Sequence, residues 1–181
     1  MKKNLCVVPL VLLFCLTMAC QDKAAMAELK KYRAQAKVED ENSALFRKVA
    51  DEWNKRNIEF FMNLHSPDYV YFTPSGTSKP MSHEGVIEMT KMIWAANPDA
   101  VWRIDELIAK GDMVMSRNTF TGTNKEAYMG IPPTGDKIEF SSMIMCRIKN
   151  GKIIEEREEM DGLSMMQQLG MELKPIQETK K

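Results

Sequence analysis

The sequence predicts an α+β domain in which helices pack on one face of a curved antiparallel sheet and leave a cone-shaped hollow. Two helix-like segments, residues 43–64 and 82–97, precede four long strand-like runs joined by tight turns. Asn150-Gly151 separates the last two runs, and this dipeptide between strands is the strongest short signal for a hairpin. Helices followed by a meander of strands are typical of the α+β class.

The helical elements follow from the spacing of apolar side chains. Residues 43–55 form the first helix, with its apolar side chains three or four residues apart: Leu45, Phe46, Val49 and Trp53. Residues 57–64 (NIEFFMNL) form a second short helix before Pro67. Ser82 is the expected N-cap of the next helix, and residues 162–170 (GLSMMQQLG) form a short closing one.

The strands are indicated by β-branched and aromatic content between turn signals. Residues 69–73 (YVYFT) form a strand that ends at residues 74–76 (PSG). The four runs of the meander are residues 101–109, 113–123, 137–149 and 152–161. We therefore expect one domain over residues 43–171, followed by a tail at 172–181.

The N-terminus has the composition of a secretion signal. Lys2 and Lys3 precede an apolar run, residues 5–18 (LCVVPLVLLFCLTM), which is shorter than the roughly 20 residues that span a bilayer. Residues 16–20 (LTMAC) resemble the lipoprotein box of bacteria, in which the cysteine becomes the acylated first residue. We expect a signal peptide at residues 1–19 and lipidation at Cys20. An ordinary signal with an incidental cysteine is the alternative.

The lipid would anchor the domain to a membrane. Gln21 rather than aspartate follows Cys20, which in such lipoproteins implies sorting to the outer membrane. Residues 20–42 are charged and rich in alanine, as expected of a partly helical tether. The domain would then lie in the periplasm or at the cell surface.

Charge and composition exclude several classes of protein. The chain has 25 basic and 25 acidic residues, so it offers no basic surface for nucleic acid. His65 and His83 lie apart, and no cluster has metal-ligand spacing, so we predict neither a metal nor another cofactor. Cys146 would remain as a lone buried thiol without a disulfide partner.

The last strand carries the most informative acidic residues. Alternation places Glu156, Glu158 and Met160 on one face together with Ile154. Two carboxylates among apolar side chains are expected in a strand that lines a pocket, where burial and like charge would raise a carboxyl pKa. Such a group can remove a proton next to a carbonyl. The alternative is that these glutamates decorate an exposed strand edge.

Several pieces of the chain, in this order, resemble one known family: residues 66–69 (SPDY), 97–99 (NPD), 104–111 (IDELIAKG), 130–135 (GIPPTG), 147–153 (RIKNGKI) and 167–170 (QQLG). The family is the SnoaL-like polyketide cyclases (ester cyclases), of the nuclear transport factor 2-like superfamily. The resemblance implies a cone-shaped α+β barrel and ring closure by intramolecular aldol condensation without a cofactor.

The resemblance also implies roles for particular residues. Glu158 falls at the position of the family's catalytic aspartate, Ile144 at that of a pocket histidine and Tyr71 at that of a pocket asparagine. Apart from the resemblance, Asp105, Arg117 and Met160 are candidates for substrate binding, and an exposed strand position is the alternative for Arg117.

Two functions remain open at this stage. The first is a cofactor-free acid/base enzyme acting on a small hydrophobic carbonyl compound, with Glu158 and Glu156 as catalytic residues. The second is a non-catalytic lipoprotein that binds an apolar molecule in the same pocket. Met113, Met115, Met143 and Met145 could also leave an apolar outer face that supports a homodimer.

Overall fold

The computed structural model describes residues 7–72, 79–128, 130–172 and 174 of the 181-residue chain, with side chains from residue 23 onward. Its elements are α1 (Val7–Asn54), α2 (Ile58–Asn63), β1 (His65–Phe72), β2 (Met81–Ser82), α3 (His83–Ala96), β3 (Val101–Lys110), β4 (Met113–Thr123), β5 (Lys137–Lys149), β6 (Lys152–Met160) and α4 (Gly162–Gln168). Three predicted features lie outside the described residues: Lys2 and Lys3 of the expected signal, the turn at residues 74–76 and most of the C-terminal tail.

The strands form one curved sheet, which the fold class predicted. In the described part of the chain it has six strands, ordered β2-β1-β6-β5-β4-β3. Neighbouring strands are antiparallel except β1 and β6, which are parallel. The sheet is thus curved and unclosed, in agreement with the predicted fold class, and it departs from the expected antiparallel pairing only where β1 lies beside β6.

The hairpin between β5 and β6 forms as the Asn-Gly pair predicts. Asn150 and Gly151 have φ values of 53° and 69°, the left-handed pair that a tight two-residue turn requires. The turn joins β5 to β6, and in the resulting pairing Ile144 lies opposite Glu158.

The alternation predicted for the last strand fails at its beginning. The register of β6 against β5 shifts between the Arg147–Glu155 and Ile148–Ile153 pairs, so one extra residue is inserted. Ile153 is therefore fully buried, and Ile154, which was expected to face inward, is only half-buried. Beyond this bulge the pattern resumes with Glu156.

The core lies between the sheet and the helices that precede it. Phe46, Val49 and Trp53 of α1 are buried in it, in agreement with the predicted apolar stripe. Trp53 makes edge-to-face contacts with Trp94 and Trp102, at ring-centroid distances of 5.6 and 6.2 Å. These aromatic contacts hold the C-terminal part of α1 against the sheet.

The helix α3 begins as the sequence predicts. The Ser82 side chain accepts a hydrogen bond from the backbone N–H of Gly85 at 3.3 Å, which satisfies one free donor of the first turn. Ser82 is also the last residue of the short strand β2. The start of α3 is thereby tied to the edge of the sheet.

The first helix is longer than the sequence indicates. It begins at Val7 rather than near residue 43, so the predicted tether is helical throughout its length. The chain divides into two units, Met1–Glu39 and Asp40–Lys181, and the second unit contains the sheet. No helix among the described residues is both long and apolar enough to cross a membrane.

The outer face of the sheet is partly apolar. Ile108 on β3, Met115 on β4 and Met143 on β5 are all exposed. Met113 and Met145 are half-buried on the same strands. The homodimer expected from these side chains stays a prediction.

Candidate active site

A cavity of about 560 Å³ lies between the inner face of the sheet and the helices. Most of its wall is apolar, formed by side chains such as Phe61, Val86, Met89, Ile93, Phe120, Phe140, Ile144, Met160 and Met165. Its charged side chains within the described residues are Glu156 and Glu158 of β6. A wall of this composition suits a largely hydrophobic ligand with a reactive polar group.

Glu158 lies on the wall of the cavity and accepts two hydrogen bonds. The Tyr71 hydroxyl donates to its Oε2 atom, and the Ser142 hydroxyl donates as well. Burial raises the pKa of the Glu158 carboxyl, and the negative charge of Glu156 adds to this rise. The two hydrogen bonds favour the ionised form, but they offset the rise in pKa only in part. Glu158 is therefore a stronger base than a solvated glutamate.

Glu156 lies two residues earlier on the same face and is more deeply buried. The Tyr69 hydroxyl donates a hydrogen bond to its Oε2 atom. The Nε2 atom of His65 is 3.6 Å from the same oxygen, and both side chains are almost inaccessible to solvent. The two glutamates thus share one cavity and have different partners.

The tyrosine hydroxyls around the carboxylates remain neutral donors. Burial raises the pKa values of Tyr69, Tyr71 and Tyr128, and the negative charge of Glu158 raises all three further. A neutral hydroxyl can donate a hydrogen bond to a carboxylate or to an oxygen atom of a bound ligand. The site therefore combines a base with donors that could stabilise a developing oxyanion.

The structure brings together five of the residues proposed from the sequence. Glu156, Glu158, Tyr71, Ile144 and Met160 all line the cavity.

Asp105 and Arg117, by contrast, do not line it, and their expected placement was wrong. Arg117 alternates with the buried residues Ser116 and Asn118, so its half-exposed side chain points to the outer face. Asp105 occupies an irregularity in the pairing of β3 with β4, and it accepts hydrogen bonds from Arg103 and Thr119 there.

Sequence reasoning missed several polar residues of the site. Tyr69 has the same strand parity as Tyr71, and a period-two reading of β1 would have placed both on one face. His65 is the buried first residue of β1, because the strand begins ahead of Pro67 and not at residue 69 as predicted. Ser142 and Tyr128 gave no signal, since their roles depend on contacts between distant elements.

The remaining candidates carry no chemistry in this site. Cys146 is buried as expected, and burial raises its pKa well above that of a free thiol, so it is a poor nucleophile. In the described part of the chain, no group of three or more His, Cys, Asp or Glu residues could hold a metal ion. The side chain of Cys20 lies outside the described atoms.

The comparison with protein families identifies the domain. Residues 43–169 match the SnoaL-like polyketide cyclase family, so the chain belongs to that family. The resemblance deduced from the sequence motifs is thereby confirmed. No curated protein matches the sequence significantly.

Solved structures share the fold. IdmH, a candidate polyketide cyclase from Streptomyces antibioticus, is 27% identical, with a TM-score of 0.64 over 72% of this chain and 99% of its own. AclR, a candidate hydroxylase from Streptomyces galilaeus, is 23% identical, with a TM-score of 0.67 over 73% of this chain and 97% of its own. A SnoaL-like protein from Jannaschia sp. CCS1 is 18% identical, with a TM-score of 0.68 over 75% of this chain and 96% of its own.

Proposed function

We propose that this protein is a cofactor-free acid/base catalyst that closes a ring in a small hydrophobic carbonyl compound by an intramolecular aldol-type reaction. The observation that carries the proposal is the carboxylate of Glu158 on an otherwise apolar wall, where burial raises its pKa. A base is most effective when its pKa approaches the working pH. The family, and the description of IdmH as a candidate polyketide cyclase, support the same reaction class.

The reaction divides into two proton transfers around one carbon–carbon bond. Glu158 takes a proton from the carbon next to a carbonyl, and the electron pair of that C–H bond forms an enolate. The enolate carbon attacks a second carbonyl of the same molecule, whose π electrons move to its oxygen. The alkoxide then recovers the proton from Glu158, which regenerates the carboxylate. No oxidant, reductant or metal is needed to balance these steps.

The tyrosines would stabilise the enolate during this reaction. Tyr71 donates to Glu158 in the free protein, and its neutral hydroxyl can turn towards an enolate oxygen when Glu158 becomes protonated. Phe120 and Phe140 stack with ring centroids 4.9 Å apart on the same wall. They offer a flat apolar surface for a chain that folds on itself before ring closure.

The first test replaces the base. Glu158→Gln keeps the size of the side chain and removes proton acceptance, so we expect a loss of about 10²–10⁴-fold in turnover. The probe is a panel of hydrophobic β-keto esters in D₂O, in which mass spectrometry follows exchange of the α-proton. This readout requires no knowledge of the natural product.

Glu159→Gln provides the matched control, because Glu159 is the exposed neighbour on the same strand. We expect it to exchange protons at the rate of the unaltered protein. Exchange by Glu158→Gln at the unaltered rate would reject the catalytic role.

A binding protein is the second candidate, and one observation favours it. Each glutamate of the cavity already accepts a hydrogen bond from a tyrosine of β1, so neither requires a ligand to satisfy it. Ile144 and Tyr71 also replace two polar side chains expected from the family. In that case Glu158→Gln would tighten binding of an apolar fluorescent probe, because it removes a buried charge, and no α-proton exchange would occur with either form.

We also propose that the chain is exported and anchored by lipid at Cys20. The support is the sequence of residues 1–20, with its basic start, apolar run and lipoprotein box. We expect the mature protein in the membrane fraction of a bacterial host and Cys20→Ala in the soluble fraction. Retention of Cys20→Ala in the membrane would contradict the anchor.

A further inference from the structure

The contacts of His65, the buried histidine of β1, indicate which of its ring nitrogens carry a hydrogen. The Nδ1 atom of His65 is 2.9 Å from the backbone carbonyl oxygen of Phe61. A carbonyl oxygen only accepts, so Nδ1 must carry a hydrogen. The other ring nitrogen, Nε2, faces the Oε2 atom of Glu156 at 3.6 Å, which is within ion-pair distance, and it has no hydrogen-bond partner among the described residues.

A neutral His65 would be poorly accommodated in this position. With its hydrogen on Nδ1, the lone pair of Nε2 would face the lone pairs of the Glu156 carboxylate in a site closed to water. A second proton on Nε2 replaces this repulsion with an ion pair. The Tyr69 hydroxyl donates to the same carboxylate oxygen, and hydrogen bonds to an ionised acceptor are the stronger ones.

We propose that His65 is a positioning residue: an imidazolium that pairs with Glu156 and keeps it ionised, so that Glu158 is the carboxyl that exchanges the proton. The inference rests on the proposed function of this site and assigns different roles to its two glutamates. Glu156 would hold a fixed charge, compensated by His65. Glu158 has no cation among the described residues that line the cavity, and it is held by neutral donors only.

Other titratable groups surround the pair and the base in the described part of the chain: Tyr69 and Tyr71 on β1, His83 on α3, Tyr128 after β4 and Cys146 on β5. Burial and the nearby carboxylates raise the pKa values of the tyrosines and of Cys146, so these groups stay neutral. His83 contacts the ring of Tyr69, and its Nε2 atom lies 3.3 Å from the carbonyl oxygen of Met62. His65 is thus the cation that the geometry assigns to Glu156.

The effect on Glu158 has a definite sign. Loss of the imidazolium removes the positive charge beside the two carboxyl groups, so the pair gives up its last proton at higher pH, and Glu158, whose pKa is already raised, is the carboxyl that keeps this proton. The pKa of Glu158 should rise further, so the acid limb of the kcat/KM profile moves to higher pH. Removal of both His65 and Glu156 should move the acid limb back to lower pH. A merely structural role for His65 would lower activity at all pH values and leave the limb in place.

The test combines spectroscopy with kinetics on the full chain. Nitrogen-15 NMR of the unaltered protein at neutral pH should show two protonated ring nitrogens for His65. In His65→Gln, carbon-13 NMR should show Glu158 titrating at higher pH than in the unaltered protein. With a β-keto ester substrate, kcat/KM on the acid limb should fall about tenfold and the plateau should change little.

Two variants control the experiment. The double variant His65→Gln/Glu156→Gln should return the titration of Glu158 to its original position or below it. His83→Gln should leave that titration unchanged, because His83 hydrogen-bonds to a backbone carbonyl and not to Glu156. If His65→Gln does not fold, the nitrogen-15 spectrum of the unaltered protein still decides the charge of His65.

The inference fails if only one ring nitrogen of His65 is protonated, or if Glu158 titrates at the same pH in His65→Gln as in the unaltered protein. These failures are distinct from failure of the proposed function. Turnover that survives Glu158→Gln would reject the catalytic role even if the ion pair is observed by NMR.

Discussion

Glu158 and Asp105 are strand carboxylates on opposite faces of one sheet, and their surroundings shift their pKa values in opposite directions. On the outer face, hydrogen bonds from Thr119 and Arg103, at 2.6 and 2.7 Å, lower the pKa of Asp105. On the inner face, burial raises the pKa of Glu158 despite the donors Tyr71 and Ser142. The difference shows that a nearby cation and strong hydrogen bonds keep a carboxylate ionised and suit it to a structural role.

The absence of a cation in the described part of the cavity wall and the deeper burial are what raise the pKa of Glu158 on the inner face. Among the described residues, the wall around Glu158 is largely aromatic and aliphatic, and its hydrogen-bond donors are neutral. An ionised carboxylate in such a place binds a proton more tightly than in water. The same curved sheet that hides apolar side chains from solvent therefore also makes the Glu158 carboxylate more basic than it would be in water.

The largest expected effect concerns packing on the two faces. Ile153 on β6 is fully buried in the core, whereas Ile108 on β3 is 72% exposed on the outer face. Ile153→Ala should lower the free energy of unfolding by about 2–5 kcal/mol, because it leaves a cavity. Ile108→Ala should cost less than about 1 kcal/mol, through strand propensity alone. Urea denaturation of dilute protein measures both values.

Equal losses for the two variants would contradict this assignment of the faces. The pair also tests the bulge in β6, since an uninterrupted strand would have buried Ile154 in place of Ile153. Ile154→Ala should then be the milder of the two substitutions on β6.

A smaller effect should appear in the pH dependence of stability. The pKa of Glu158 is raised in the folded protein, so the unfolded chain loses its proton first as the pH rises, and stability is lost above the ordinary pKa of glutamate. Glu158→Gln should raise the Tm by about 2–4 °C at neutral pH, or about 1 kcal/mol for a domain of this size. The advantage should vanish in acid, where both states are protonated.

Asp105→Asn should show the opposite dependence. The lowered pKa of Asp105 stabilises the fold above the ordinary pKa of aspartate, and this contribution is lost as the pH falls through the lowered value. The variant should be less stable than the unaltered protein at neutral pH, and the two should converge in acid. Thermal melts over a pH series measure both variants. If both variants changed the Tm in the same direction at neutral pH, the opposite pKa shifts of Glu158 and Asp105 would be contradicted.

Local sequence signals were sufficient for most of the fold. The Asn150-Gly151 hairpin, the Ser82 cap and the apolar stripe of α1 all depend on contacts within a few residues or on periodicity. The parallel pairing of β1 with β6 was missed, because it joins segments more than 80 residues apart. The length of α1 was missed because the charged, alanine-rich segment carries no sign of where the helix begins.

The candidate site was predictable in its carboxylates and less so in their partners. Period-two alternation together with the family resemblance pointed to Glu156 and Glu158. Arg117 and Asp105 were misplaced, because the sequence does not say which face of β3 and β4 is the inner one. His65 reaches Glu156 only through the pairing of β1 with β6, so no local pattern could indicate their contact.

The measurement that tests the central claim most directly is a carbon-13 NMR titration of the unaltered protein with labelled aspartate and glutamate. The signals of Glu158 and Asp105 would be assigned with Glu158→Gln and Asp105→Asn. We expect Glu158 to titrate above the ordinary pKa of a glutamate and Asp105 below that of an aspartate. A Glu158 carboxyl that titrates at or below its ordinary pKa would contradict the assignment of a buried base to the inner face of the sheet.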